Sequence, residues 1–260
     1  MDDWTTWHAE HDRRLADPHG FLAITSLNFL TATPQRFPDA PGTWHTGPDG
    51  VIVELAPGET LTLDGTTIAG RHSFGAIAER GSIFPAFDDA VVEVAKRGGF
   101  DVIRPRHPSN PLRAQFRGTP AYAPSPSWVL DGRFVAFDSP RDVKVGAAVE
   151  GLEHVYSSPG RVEFGDGLAL TVFNGRTPGS LFALFTDRTS GVTTYPANRS
   201  LAIDPPAADG SVVLDFTRAT NLPCAYTDFA TCPLPPAGNR LPVAVEAGEK
   251  IPYERLAPVS

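Results

Sequence analysis

The chain has 260 residues and a formal net charge of -8. An acidic surface repels the phosphate backbone of nucleic acids, so we expect no nucleic-acid partner. No apolar run approaches the roughly 20 residues that span a bilayer. The charged N-terminus, MDDWTTWHAEHDRR, lacks the apolar core of a secretory signal. These features together predict a cytoplasmic protein without a membrane partner.

The glycine and proline content indicates the fold class. The chain has 24 glycines and 26 prolines, well above the average usage of about 12% for the two together. Punctuation this dense favours short strands and tight turns. We predict an all-β fold, mainly an antiparallel sandwich or partly open barrel, with one N-terminal α-helix. We expect one compact domain over residues 1–260, with a subdivision near 105 into 1–105 and 106–260 left open.

The single predicted helix covers residues 3–16. The basic pair Arg13–Arg14 lies in its last turn, and Pro18 ends it. Aromatic and apolar side chains recur in this segment at helical spacing: Trp4, Trp7, His11 and Leu15. The spacing predicts a stripe that packs on the β structure.

Residues that could bind a metal are few. His8 and His11 are three residues apart in the predicted helix, but without a motif such as H-E-x-x-H they are interpreted as surface histidines. Cys224 and Cys232 have no histidine near them in sequence that could complete a zinc site. We expect them as free thiols in a reducing compartment, with a disulfide left open. The sequence thus predicts no metal site, and it leaves the cofactor undetermined.

Strand patterns fill the rest of the chain. Alternating or continuous apolar residues between turns predict strands at 20–24, 27–30, 50–55, 60–63, 90–95, 100–103, 128–137, 141–149, 161–164, 168–173, 181–186, 212–216 and 241–245. Asp64-Gly65 and Lys96–Gly99 are predicted hairpin turns. Residues 187–195 are predicted to form a strand, a turn and a strand.

Polar residues concentrate between Asp187 and Lys250. Two Asn-Arg pairs lie there among turn-forming residues, Asn198–Arg199 and Asn239–Arg240. A planar guanidinium binds a carboxylate or a phosphate through two hydrogen bonds. The chain has no G-x-S-x-G elbow, P-loop or G-x-G-x-x-G motif after a strand.

The same stretch contains long motifs. They are Asp215-Phe216, Ala219, Asn221, Pro223-Cys224-Ala225, Thr231 to Pro236, Asn239 to Leu241 and Ala247 to Lys250. They resemble the pattern DFN-A-NPPCA, TCPLPP, NRL and AGEK of a bacterial family, domain of unknown function 1684. Weaker matches extend the resemblance over nearly the whole chain. Thr217 and Leu222 depart from it, and residues 34–48 match least. The resemblance implies very little about function.

We therefore predict a small-molecule-binding protein, an enzyme acting on an anionic or polar metabolite in a pocket lined by residues 187–250. The predicted substrate-binding residues are Arg199, Asn221, Asn239 and Arg240, and the predicted catalytic residues are Tyr195, Asp215 and Glu246. Two arginines would bind the anion, a carboxylate would serve as acid or base, and the tyrosine would donate a proton.

Two other interpretations stay open. The polar side chains could serve only the loop backbone, with Asp215 in an ion pair with Arg199 or Arg240 and Asn221 capping a turn. The chain could instead be a non-catalytic β-sandwich binding or scaffolding module, an interpretation based on fold analogy alone. An enzyme predicts that the arginines and a carboxylate converge on a cavity, and a module predicts that they pair with each other. The oligomeric state is not predicted.

Overall fold

The structure, a computed structural model, describes residues 2–255. Their contacts divide the chain into two compact units. The larger unit contains residues 2–12 and 117–255, and the smaller unit contains residues 13–116. The prediction of one domain, with a possible subdivision near residue 105, stays a prediction.

The secondary structure is mostly antiparallel β, as predicted. The helices are α1 (Asp2–Leu15) and α2 (Pro111–Gln115). The strands are β1 (Asn28–Phe29), β2 (Gln35–Arg36), β3 (Thr43–Gly47), β4 (Gly50–Glu54), β5 (Leu61–Leu63), β6 (Thr66–Ile68), β7 (Arg71–Ser73), β8 (Ser82–Ile83), β9 (Ala86–Phe87), β10 (Ala90–Arg97), β11 (Phe100–Arg106), β12 (Val129–Gly146), β13 (Glu153–Phe164), β14 (Leu168–Asn174), β15 (Leu181–Phe185), β16 (Arg199–Ile203) and β17 (Ser211–Asp215).

The smaller unit contains two sheets. One has seven strands in the order β1-β11-β10-β9-β5-β6, with β8 also paired to β10, and the other has the order β2-β3-β4-β7. Trp44 is fully buried in the core of this unit. Both predicted hairpins are confirmed, because Asp64-Gly65 joins β5 to β6 and Gly98-Gly99 joins β10 to β11, all four residues having positive φ.

The larger unit is built on one six-stranded sheet, in the order β16-β15-β14-β13-β12-β17. An isolated antiparallel bridge between Ser200 of β16 and Thr220, just after β17, brings the two edges together. The sheet is therefore a nearly closed barrel. Alternate residues of β13 are buried, as expected for a strand with one face on a core. That core contains Val162, Leu170 and Phe216.

Helix α1 was predicted within one residue at each end. Its N-terminal part belongs to the larger unit and packs against the turn that follows β17. The Trp4 indole Nε1 donates to the Thr217 carbonyl at 2.8 Å, and the Arg218 guanidinium lies over the Trp7 ring at 5.3 Å. Within the described residues, no helix has both the length and the apolarity needed to cross a membrane.

Three predicted strands are wrong. Residues 21–23 of the predicted strand 20–24 form a 3-10 turn, and residues 187–195 form turns and isolated bridges. Residues 241–245 are an apolar run, but they form a loop because Pro242 has no N–H and other groups take the loop carbonyls. In contrast, the predicted strands 128–137 and 141–149 are one strand, β12, whose register to β13 shifts between Ala136 and Arg141.

Candidate functional site

Asn239 attaches the loop after residue 236 to the barrel. Its side chain is fully buried and makes three hydrogen bonds of 2.8 Å, accepting from the Thr171 amide and donating to the carbonyls of Thr171 and Leu184. The backbone on either side pairs with Thr186, which donates to the Asn239 carbonyl and accepts from the Leu241 amide. Asn239 thus has a structural role here, and it leaves the next side chain, Arg240, exposed to solvent.

Arg199 lies inside the larger unit. Its Nη2 donates to Asp187 Oδ2 at 2.7 Å and to the Val245 carbonyl at 3.0 Å, and its Nη1 donates to the Ala247 carbonyl. The guanidinium also lies over the Phe185 ring at 5.0 Å. Burial lowers the pKa of Arg199, and the Asp187 carboxylate opposes that shift. Arg199 therefore holds the 245–249 backbone in place and is not exposed to solvent.

Asp187 of this ion pair also lines a groove. Its volume is about 470 Å³, and it is lined by Thr186, Asp187, Arg188, Ser190, Pro196, Arg240, Leu241 and Pro242. We call it the arginine groove. Arg188 and Arg240 are exposed, and among the described residues no carboxylate pairs with either. The charge of Asp187 is balanced by Arg199, so the groove carries a local excess of positive charge.

A larger cavity of about 550 Å³ lies elsewhere on the barrel, at the ends of β12, β13 and β14. Its charged lining residues are Asp131, Arg133 and Glu163, which are of mixed sign. None of its lining residues belongs to the 187–250 segment. This cavity has neither the unpaired arginines nor the motif residues of the arginine groove.

The three predicted catalytic residues lie apart. Asp215 caps the turn after β17, where its Oδ1 accepts from the Thr217 amide at 3.1 Å and its Oδ2 lies 3.3 Å from Arg218 Nε. Glu246 is exposed on the final loop. Tyr195 packs beside the cysteines, and burial together with Cys224 raises the pKa of its hydroxyl to about 12. None of the three lines the arginine groove, so their catalytic roles stay predictions.

The two cysteines are buried thiols that are not joined in a disulfide. The Cys224 amide donates to Cys232 Sγ at 3.3 Å, and a hydrogen bond from Cys232 lowers the pKa of Cys224. The two thiols form a small cluster with Ala230, and Tyr195 packs against it.

Glu249, within the Ala247 to Lys250 motif, is one of the most buried carboxylates of the larger unit. Only 1% of it is exposed. Its Oε2 accepts from the Asn221 amide at 2.6 Å, and Asn221 Nδ2 donates to the Lys250 carbonyl at 2.8 Å. Asn221, a predicted substrate-binding residue, thus positions Glu249 and does not line the arginine groove.

The other oxygen of Glu249 faces helix α1. Oε1 lies 3.3 Å from His11 Nε2 and 3.6 Å from His8 Nε2. Asp12 is close by, with Oδ2 at 3.8 Å from His8 Nδ1. We call His8, His11, Asp12 and Glu249 the histidine–glutamate cluster. One donor atom from each of His8, Asp12 and Glu249 falls within 4.8 Å of the others, so these three residues have the residue types and the proximity of a metal site, and His11 approaches the same Glu249 oxygen.

Neighbouring side chains hold the cluster in position. The His8 ring stacks on Trp4, with centroids 4.8 Å apart, and the His11 ring stacks on Trp7 at 5.8 Å. Burial raises the pKa of Glu249. The two histidines, His11 and His8, lower it by more, so the net pKa of Glu249 is below its usual value. A hydrogen bond with Glu249 raises the pKa of His8. The H-x-x-H spacing and the AGEK motif were visible in the sequence. They lie near opposite ends of the chain, so no local sequence pattern indicates that they meet.

With the geometry established, similarity to known proteins defines the family. The family described as "Protein of unknown function (DUF1684)" matches residues 114–250, more than half of the chain. The chain belongs to this family, as its motifs indicated. A solution NMR structure of an uncharacterized protein from Haloarcula marismortui is similar at 30% identity, covering 53% of this chain and 78% of that one, with a TM-score of 0.45. No curated protein matches the chain.

Proposed function

We propose that the protein binds a small anionic metabolite in the arginine groove. One observation carries the proposal: Arg188 and Arg240, two exposed arginines without an ion-pair partner among the described residues, line a groove whose carboxylate is already neutralised by Arg199. A guanidinium with no protein partner offers its planar set of donors to a carboxylate or phosphate.

The charge distribution supports an anionic ligand. The protein as a whole carries a net charge of -8, which repels anions from most of its surface. A groove with the opposite sign concentrates field lines and attracts a small anion locally. The hydroxyls of Thr186 and Ser190 provide hydrogen-bonding groups. The apolar part of the groove surface comes from Pro196, Leu241 and Pro242. The best match is a carboxylate or phosphate on a compact carbon skeleton.

The groove supports binding more directly than catalysis. Asp187 is the one carboxylate among its lining residues. Oδ1 of Asp187 accepts from the Thr189 amide, the Thr189 hydroxyl and the Val245 amide, and Oδ2 accepts from Arg199. A carboxylate with both oxygens engaged is poorly placed to transfer a proton. The enzyme part of the sequence hypothesis would need a proton-transfer group brought by the ligand or by a neighbouring loop.

The two interpretations of the sequence predict different positions for the arginine side chains. A scaffolding module predicted arginines paired inside the protein, and the Arg199–Asp187 ion pair has that form. A ligand pocket predicted arginines facing a cavity, and Arg240 has that position. We infer that the buried arginine builds the groove and that the exposed arginines bind the ligand.

Calorimetric titration and thermal-shift assays test this function. Phosphate, pyrophosphate, succinate and citrate are titrated into the wild type, Arg188→Gln, Arg240→Gln and the control Arg176→Gln. The control removes the same charge from an exposed position of the same unit. A ligand that binds the native state raises its melting temperature.

We expect at least one anion to bind the wild type and the control equally. Loss of one charge-assisted contact should weaken binding by about tenfold in each groove variant, which corresponds to about 1.4 kcal/mol. If none of the anions binds, or if all three variants weaken binding alike, the groove is not an anion site.

A further inference from the structure

We propose that His8, His11 and Glu249 bind a divalent first-row transition metal ion, with Asp12 as a positioning residue. This site is separate from the arginine groove, and neither proposal depends on the other. It departs from the sequence-based expectation of no metal site, which rested on the missing H-E-x-x-H motif.

The distances from the Glu249 carboxylate to the two imidazoles are close to those of metal coordination. Glu249 Oε1 lies 3.3 Å from His11 Nε2 and 3.6 Å from His8 Nε2. Ligand atoms about 2.0–2.1 Å from a tetrahedral zinc ion are about 3.3 Å apart. The carboxylate oxygen and each imidazole nitrogen thus already have nearly the separation that a shared metal ion requires.

The donor atoms also lack other partners. His8 Nε2, His11 Nε2 and Glu249 Oε1 are buried, and within the part of the chain that the structure describes they face only each other, with no hydrogen-bond partner outside this group. A buried polar atom without a partner costs about 1–3 kcal/mol. Three buried donor atoms with only each other as partners, one of them on a side chain only 1% exposed, form a group that a shared metal ion would satisfy.

The supporting contacts resemble those of a preorganised metal site. Glu249 Oε2 is held by the Asn221 amide, so the carboxylate keeps Oε1 towards the helix. The Asp12 Oδ1 accepts from the Thr119 amide at 3.1 Å, while its Oδ2 faces His8 Nδ1. A carboxylate behind the second nitrogen of a histidine orients the ring and increases its basicity towards a metal.

Two imidazoles and one carboxylate define the class of metal. This donor set suits zinc, iron, cobalt or nickel, whereas calcium and magnesium prefer oxygen ligands alone. Three protein ligands leave a fourth position of a tetrahedral ion open. The His8 and His11 side chains are 14% and 19% exposed, so solvent reaches the edge of the cluster although the donor atoms are buried. We therefore expect a water molecule or a small ligand at the open position.

Direct metal titration tests the site. Full-length protein without a histidine tag is treated with a chelator, exchanged into chelator-free buffer and titrated with Zn²⁺ by calorimetry and with Co²⁺ by visible absorption. The variants are Glu249→Gln, His8→Phe, His11→Phe and Asp12→Asn. The phenylalanines keep an aromatic ring against Trp4 or Trp7. His72→Phe, at a half-buried position of the smaller unit, is the control for loss of a histidine.

We expect one ion per wild-type chain, with the ligand-field absorption of nitrogen- and oxygen-bound Co²⁺. The three ligand variants should weaken binding by at least about 100-fold. Asp12→Asn should weaken it by about 10–100-fold with the same spectrum, as loss of an outer-shell partner does. His72→Phe should bind like the wild type.

Two results would overturn the proposal. One is a wild type that binds neither ion. The other is binding that Glu249→Gln and both histidine variants leave unchanged, which indicates an adventitious ion only. Melting curves of each variant establish that it is folded. If Glu249→Gln does not fold, the two histidine variants decide the question alone.

Discussion

Asp187 and Arg199 form an ion pair with 2.7 Å between Oδ2 and Nη2 and almost no exposure of either side chain. Asp187 lines the arginine groove, and Arg199, through the Val245 and Ala247 carbonyls, holds the loop that leads to Glu249. A further contact of 3.4 Å joins Arg199 Nη1 to the Glu249 carbonyl. One buried guanidinium thus supports both proposed sites.

Removing one member of this pair should destabilise the larger unit strongly. Asp187→Asn leaves a buried guanidinium without its counter-charge, which costs about 3–5 kcal/mol of unfolding free energy. Urea denaturation measures the change. Lys144→Gln, which breaks the exposed Lys144–Glu153 pair on the same barrel, should cost under about 1 kcal/mol. Equal effects of the two substitutions would show that the buried pair is not a structural element.

Asn239→Ala should destabilise the protein by about 3 kcal/mol, because three hydrogen bonds to the barrel backbone are lost together. Asn174→Ala, at an exposed position of β14, should have little effect. Denaturant unfolding compares the two. The loop that carries Arg240 should also loosen, so amide exchange of residues 240–242 should accelerate. Unchanged exchange in a destabilised variant would contradict the attachment role.

Gly248 has a backbone conformation that few other residues can adopt. Its φ is +72°, and a Cβ there would lie 2.5 Å from the Ala219 carbonyl oxygen. Gly248→Ala should therefore cost about 2 kcal/mol or more and displace the neighbouring Glu249. Gly238→Ala is the matched control, because a Cβ at Gly238 meets no atom within 4 Å. Thermal denaturation of both variants measures the difference, and equal melting temperatures would contradict the close approach.

Glu93 of the smaller unit gives a pH-dependent prediction. Burial raises its pKa, but Arg104 and Arg106 outweigh burial and lower the pKa from 4.5 to about 2. A lowered pKa in the folded state stabilises the protein above about pH 4.5, and that stabilisation is lost as the pH falls through about 2.

The difference in unfolding free energy between wild type and Glu93→Gln should accordingly shrink by about 3 kcal/mol between pH 5 and pH 2. Denaturation at several pH values measures it. A difference that stays constant over this range would show that Glu93 does not gain stability from its charge.

The elements predicted correctly from sequence depend on local signals. The hairpin at Asp64-Gly65 needs positive φ at both residues, and the residue types in the sequence already indicate it. Helix α1 has helical spacing of its apolar residues and a basic pair in its last turn. Residues 241–245 show the opposite case, because the Val243 carbonyl accepts from the Arg188 amide and the Val245 carbonyl from Arg199. Long-range partners of this kind override local strand propensity.

The candidate sites were predicted only in part for the same reason. Arg240 lines a groove and Arg199 is buried, and the sequence does not indicate which arginine of the two Asn-Arg pairs is which. Glu249 meets His8 and His11 from the opposite end of the chain, so no spacing rule connects them. The Glu249 motif was recognised, and its partners became visible only after folding.

The most direct test of the anion-binding function is an NMR titration with the anion that binds most tightly in calorimetry. The Nε–Hε resonances of Arg188 and Arg240 should shift together with the amides of residues 186–190 and 240–243. The Nε–Hε resonance of Arg176, exposed on the same unit, should not move. Shifts confined to other arginines, or spread evenly over all exposed arginines, would contradict an anion site in the arginine groove.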